Sequence, residues 1–132
     1  MKLYAAILIG GAIGSAARFA MGTWIDEKAF SAFPWGTFAV NILGSFVIGL
    51  MAGLSGPNSF LAVPVPEIVR VFVMVGICGG FTTFSSFSLQ TVHLLETGQW
   101  PLACAYAVLS VLLCLLATAG GLALIHAFAV KA

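Results

Sequence analysis

Charge is what this chain has least of. Only 7% of its 132 residues are Asp, Glu, Lys or Arg, against about a quarter in a soluble domain. With 61% of the residues hydrophobic, so few charges cannot coat a water-facing surface. The net charge is +1 with no basic run, so nucleic acid is not an expected partner. Cysteine is scarce as well. Cys78, Cys104 and Cys114 all lie in apolar stretches at no zinc-like spacing, so free, packed thiols are expected in place of disulfides or metal ligands. No nucleophile–base pair and no cluster of ligating side chains is apparent, which argues against an enzyme. No Asp, Glu or Lys falls in the middle of an apolar run, although a proton-coupled exporter would want a carboxylate there.

What the chain does have is apolar length. Runs at about 3–24, 35–54, 67–96 and 100–128 each exceed or approach the ~20 residues needed to span a bilayer. The expectation is one all-α integral membrane domain over 1–132, made of four transmembrane helices in lipid. Lys2, the following apolar run and Ser15-Ala16-Ala17 imitate a secretory signal peptide, but Arg18 interrupts the cleavage region. The links are short: Asp26-Glu27-Lys28 with Pro34 at the next first turn, a Ser/Gly/Asn/Pro-rich loop from Ser55 to Pro66, and Thr97-Gly98-Gln99 before Trp100-Pro101. Short links make neighbouring spans antiparallel. Trp24, Trp35 and Trp100 all fall at span ends, where interfacial aromatics sit. Gly10/Gly14, Gly11/Ser15 and Gly49/Gly53 repeat at four-residue spacing, which lets helices approach closely in lipid.

Orientation is nearly unbiased. An even number of spans places Lys2, Arg70 and Lys131 on one side and Arg18 and Lys28 on the other. Three against two is almost no positive-inside signal. Either the small count fails to report an orientation, or both orientations insert.

The third span is the anomaly. It reads Gly76-Ile77-Cys78-Gly79-Gly80-Phe81-Thr82-Thr83-Phe84-Ser85-Ser86-Phe87-Ser88, with two adjacent glycines followed by five hydroxyls in seven residues. Thr82 lies twelve residues from Arg70 and fourteen from Glu96, roughly 18–21 Å along a helix and so near mid-membrane. Irregular backbone at that depth is tolerated only inside protein or beside water, and broken helices in transport proteins present carbonyls to cations. The competing reading is a glycine packing contact with hydroxyls bonded to their own backbone. Two other spans carry polar stripes at four-residue spacing: Thr37, Asn41 and Ser45, and Tyr106, Ser110, Cys114 and Thr118. Each could be an interhelical hydrogen bond; three together favour a pathway. Arg18 is the only deep charge, either snorkelling or drawing anions. His93 and His126 lie near span ends without a partner pattern.

Three stretches carry a resemblance over the whole chain: Gly10-Gly11-Ala12-Ile13-Gly14 with Arg18, Gly36-Thr37-Phe38-Ala39-Val40-Asn41-Ile42-Leu43-Gly44-Ser45-Phe46, and Gly79-Gly80-Phe81-Thr82-Thr83-Phe84-Ser85-Ser86-Phe87. With them the chain resembles the Fluc (CrcB) family of small fluoride channels. The resemblance implies an antiparallel, dual-topology homodimer with two fluoride pores, a third helix broken near mid-membrane, and a bacterial inner-membrane location. It implies a structural sodium ion on the main-chain carbonyls of Gly79 and Thr82. It assigns the pore to Asn41, Phe84 and Phe87, with Thr37, Ser85, Ser86, Ser88, Tyr106 and Ser110 along a polar track. The chain departs from the family at Gln90, where relatives usually carry Glu, and at Cys114, where they carry a hydroxyl.

The residue chemistry agrees with that expectation. Amide and hydroxyl donors carry no fixed charge, so they can replace an anion's water without trapping it. Ring edges of phenylalanine carry partial positive charge, and a fixed cation would offset the cost of an anion in a low-dielectric setting. A small multidrug exporter and a structural membrane subunit are the alternatives.

Overall fold

The computed structural model describes residues 1–56 and 64–129. Most of the expected loop between Ser55 and Pro66, and Lys131, therefore lie outside the described residues. Among the described residues every regular element is helical: α1 (Lys2–Ala29), α2 (Trp35–Ser55), α3 (residues 67–81), α4 (Phe84–Glu96) and α5 (Trp100–Ala129). Four stretches are long and apolar enough to cross a membrane, the third being α3 and α4 taken together. The protein is a multi-pass membrane protein. Leu8, Phe19, Leu112, Leu115 and Leu116 are all exposed, which suits a chain whose outer face meets lipid.

The spans do not pair in sequence order. α1 lies chiefly against α3, and α2 against α5. Glycine makes both contacts possible. A Cβ on Gly10 would come within 2.7 Å of the Phe72 carbonyl oxygen and 2.9 Å of the Gly76 Cα. One on Gly14 would overlap the Ile77 carbonyl oxygen, and one on Gly49 the Thr118 carbonyl oxygen. Only hydrogen fits at these points, so the backbones themselves are in contact, the arrangement small residues serve in lipid. The Thr118 hydroxyl adds a polar tie, donating to the Ser45 carbonyl at 3.1 Å and to its own Cys114 carbonyl at 3.0 Å.

α1 extends to Ala29 and so passes through Asp26-Glu27-Lys28, which hydropathy alone reads as a link. Asp26 has a partner that explains this. Its Oδ1 accepts the Gly36 N–H at 2.7 Å, capping the first turn of α2, where main-chain donors lack helical partners. The carboxylate also sits at the favourable, positive end of that helix.

α3 is not a plain α-helix. Glu67–Arg70 is α, Val71–Cys78 is a π-helix and Gly79–Phe81 is a last α turn. π segments are uncommon and gather at functional sites. The π stretch is the part of α3 clamped against α1 at Gly76 and Ile77.

Candidate functional site

The helix of the third span stops at Phe81 and restarts at Phe84. Thr82 (φ −80°, ψ 158°) and Thr83 (φ −153°, ψ 115°) are both extended. Two neighbouring extended residues free main-chain groups that must find other partners. The Thr83 side chain caps α4: its Oγ1 accepts the Ser86 N–H at 3.1 Å and lies 3.1 Å from the hydroxyls of both Ser85 and Ser86. Asn41 on α2 takes the Thr83 main chain from the other side. Its Oδ1 accepts the Thr83 N–H at 2.8 Å, and its Nδ2 donates to the Thr83 carbonyl at 3.1 Å. The Thr82 hydroxyl turns back to the Cys78 carbonyl at 2.8 Å.

Two cavities meet at this break. The first, about 330 Å³, opens between α2, α3, α4 and α5. Its polar lining is Asn41, Ser45, Thr82, Thr83, Ser110 and Cys114, with Phe84 and Phe87 on one wall. Among the described residues no charged side chain lines it. The second, about 340 Å³, lies on the α1 side and is lined by Ser15, Arg18, Asp26, Thr37, Thr83 and Ser86 among others. Among the described residues Thr83 is the one that lines both.

Most of the residues expected to act together are therefore gathered, but across two compartments. Asn41, Phe84, Phe87 and Ser110 face the first cavity, together with Gly79 and Thr82. Thr37 and Ser86 face the second, so the α2 stripe is divided between them. Ser85 joins the hydroxyl cluster around Thr83. Ser88 lines neither, and its hydroxyl donates to the Phe84 carbonyl at 2.9 Å. Tyr106 is fully buried and also lines neither; its hydroxyl donates to Gln90 Oε1 at 2.9 Å. The Tyr106 ring makes a cluster with Phe33, Phe38 and Phe87, whose centroids lie 5.3, 6.5 and 5.2 Å away. Phe87 stands in turn 5.3 Å from Phe84.

Ser110 stands apart. Only 6% exposed, its Oγ is buried in the wall of the first cavity and is without a hydrogen-bond partner among the described residues. A buried hydroxyl left unmatched costs about 1–3 kcal/mol.

Sequence reasoning gave no role to Phe33 and Phe38, which pack on the Tyr106 ring, and it missed the Asp26 cap. The signal for the cap was available: a carboxylate at the end of one span and a glycine N–H at the start of the next.

A break across the middle of a helical span, facing a cleft of neutral hydrogen-bonding groups, defines a membrane protein built to accommodate something polar inside the bilayer. Comparison with known proteins gives that class a family. The pattern of the CrcB-like protein family (Camphor Resistance, CrcB) matches residues 5–122, and the chain belongs to this family. A protein of Opitutus terrae named fluoride-specific ion channel FluC is 49% identical over 117 residues, 89% of this chain and 87% of the relative. One of Methylocella silvestris with the same name is 48% identical over 114 residues, 86% of each chain. The Nitrobacter winogradskyi protein, again so named, is 42% identical over 121 residues, 92% of this chain and 93% of the relative.

Proposed function

We propose that this protein is a fluoride-selective channel, not an enzyme, that lets cytoplasmic fluoride run down its electrochemical gradient across a bacterial inner membrane. The observation that carries this reading is the cavity at the helix break, whose described lining is uncharged and holds the buried Ser110, its hydroxyl unpartnered among the described residues. A hydroxyl donor and ring edges suit a small anion that must shed water. The lack of fixed charge lets the ion leave again. The relatives' names agree.

The unit of function on this reading is an antiparallel homodimer with two pores. Phe84, on the wall of the first cavity, is 76% exposed, which a second copy would cover. The near balance of Lys and Arg across the spans supports insertion in both orientations.

A structural sodium ion at the dimer centre fits the chemistry of the break. Among the described residues no group of three His, Cys, Asp or Glu is placed to hold a metal ion, so main-chain oxygen is the available donor. In an α-helix each N–H bonds the carbonyl four residues back. The Thr83 N–H goes to Asn41 and the Ser86 N–H to the Thr83 hydroxyl, so the Gly79 and Thr82 carbonyls lose their helical donors. These two carbonyls would hold the ion, whose fixed positive charge would offset that of an anion nearby.

The test is efflux from liposomes containing only this protein. Fluoride release with chloride retained is expected. No fluoride release from a well-folded preparation would refute the reading, and export of an organic cation would favour a drug exporter. Labelling of single cysteines in the terminal tails, with the native three removed, should occur from both sides of intact cells; one-sided labelling would refute dual topology.

A further inference from the structure

We infer that Asn41 is a positioning residue that keeps the third span broken, by taking the Thr83 N–H that would otherwise bond the Gly79 carbonyl. The inference deepens the channel reading and rests on it for its meaning, though not for its geometry.

One side chain satisfies both main-chain groups of one residue: Oδ1 receives the Thr83 N–H at 2.8 Å and Nδ2 gives to the Thr83 carbonyl at 3.1 Å. An amide does this because it holds one acceptor and one donor group on a single carbon. The pattern is that of an adjacent β-strand, supplied by a side chain. An ionised carboxylate at the same place could accept from Thr83 but not donate to it.

The approach of α2 is built for the contact. One turn beyond Asn41, a Cβ on Gly44 would overlap the Thr82 methyl group, so α2 reaches the break only because Gly44 has none. On the other side of the break the Thr83 hydroxyl holds Ser86 N. Two side chains thus release two carbonyls: Asn41 frees that of Gly79, and Thr83 frees that of Thr82. Without Asn41, the Thr83 N–H has a ready acceptor in Gly79 and the helix can close by one turn. Thr83 also lines both cavities, so fixing its main chain fixes the wall they share. The amide keeps only one further N–H for an ion, which separates positioning from ion binding experimentally.

The first measurement is made on the wild-type protein in lipid. The chain contains two asparagines, Asn41 and Asn58, so ¹⁵N-asparagine with ¹³C-threonine labelling gives a readable solid-state NMR spectrum. Magnetisation transfer from the Asn41 side-chain nitrogen to the Thr83 carbonyl carbon is expected with and without fluoride; its absence would overturn the inference. The second measurement is fluoride current across a planar bilayer for wild type and Asn41→Asp, since HF is uncharged and carries none. At about pH 7.5 the variant should lose at least about tenfold in current. Near pH 5.5 a larger share of the introduced carboxyl is protonated than at about pH 7.5. A protonated carboxyl accepts from Thr83 N and donates to Thr83 O, remaking both bonds with its single O–H. Recovery of current by several-fold, with wild type nearly unchanged, supports positioning. A variant that elutes as wild type yet stays silent at both pH values would show that the ion needs the second N–H and overturn it. Should the variant not fold, the wild-type NMR contact decides alone. Absent wild-type current would instead refute the channel reading and leave the NMR result to judge the geometry.

Discussion

Gly79 and Gly80 are adjacent in the chain and opposite in their surroundings. A Cβ on Gly80 would come within 2.5 Å of the Gly11 carbonyl oxygen and 3.1 Å of Ser15 N, whereas one on Gly79 would meet only the Met74 carbonyl, at 4.0 Å. Gly80 belongs to a dry seam in which α1 and α3 touch backbone to backbone. Gly79 belongs to the cavity face, with Asn41, Thr82 and Thr83. One face of α3 needs the absence of side chains to hold the spans together. The other faces the cavity at the point where the helix stops. The Gly-Gly pair thus divides one residue apart, Gly80 into the packing contact and Gly79 onto the cavity wall.

The sharpest way to break that comparison is to add a methyl group on each side of it. Gly14→Ala or Gly80→Ala drives a Cβ into main-chain atoms of the opposite helix, which cannot swing aside. Overpacking of that kind costs about 1–3 kcal/mol, sometimes more. Aggregation or loss of the folded species on size exclusion is expected, whereas Gly79→Ala should elute as wild type. Equal behaviour of the two adjacent substitutions would show that the faces are not distinct.

A smaller structural effect with a large functional one is expected at the phenylalanines. Phe84 is mostly exposed in the single chain and Phe87 is half-buried. Ile keeps apolar bulk while removing the ring edge. Phe84→Ile and Phe87→Ile should each cut fluoride efflux by about tenfold or more, about 1.4 kcal/mol in rate terms, with elution unchanged. Normal efflux in both would return the rings to packing.

The smallest perturbation is Ser110→Ala, which deletes one oxygen. Since that oxygen has no partner among the described residues, thermal stability should hold or rise slightly, by about 1 kcal/mol at most. Efflux should fall several-fold. A stability loss without a flux loss would mean that the hydroxyl serves the fold.

The spans were plainly legible, because hydropathy over about 20 residues is a signal that tertiary contacts seldom overrule. The break was legible too, since adjacent glycines followed by a run of Thr and Ser offer the backbone alternatives to the helix. The allocation of residues to faces was not. Four-residue spacing puts Thr37, Asn41 and Ser45 on one stripe, yet Thr37 opens to the α1 side while Asn41 and Ser45 open to the other, because Thr83 lies between. Asn41 was expected to offer its amide to an ion, but two of its groups are committed to Thr83. Nor does apolar sequence distinguish a π-helix from an α-helix. Val71-Phe72-Val73-Met74-Val75 carries no mark of the wider turn, which belongs to the stretch clamped at Gly76 and Ile77. The departure at Gln90 has a local account: an amide oxygen there still accepts from the buried Tyr106 hydroxyl.

The order in which the spans pair has a bearing on how the chain is made. Chains emerge N-terminus first at about 5–20 residues per second, and the seam on α1 at Gly10 and Gly14 is closed by Gly76 and Ile77. For several seconds of synthesis, the first two spans therefore stand in the bilayer with their notched faces uncovered. Nascent helices with bare small-residue grooves are open to any neighbour of matching shape, including those of another newborn copy. The Asp26–Gly36 clasp can form during that interval, since both partners emerge early. It would hold the first two spans as a hairpin until their proper partners arrive from the ribosome.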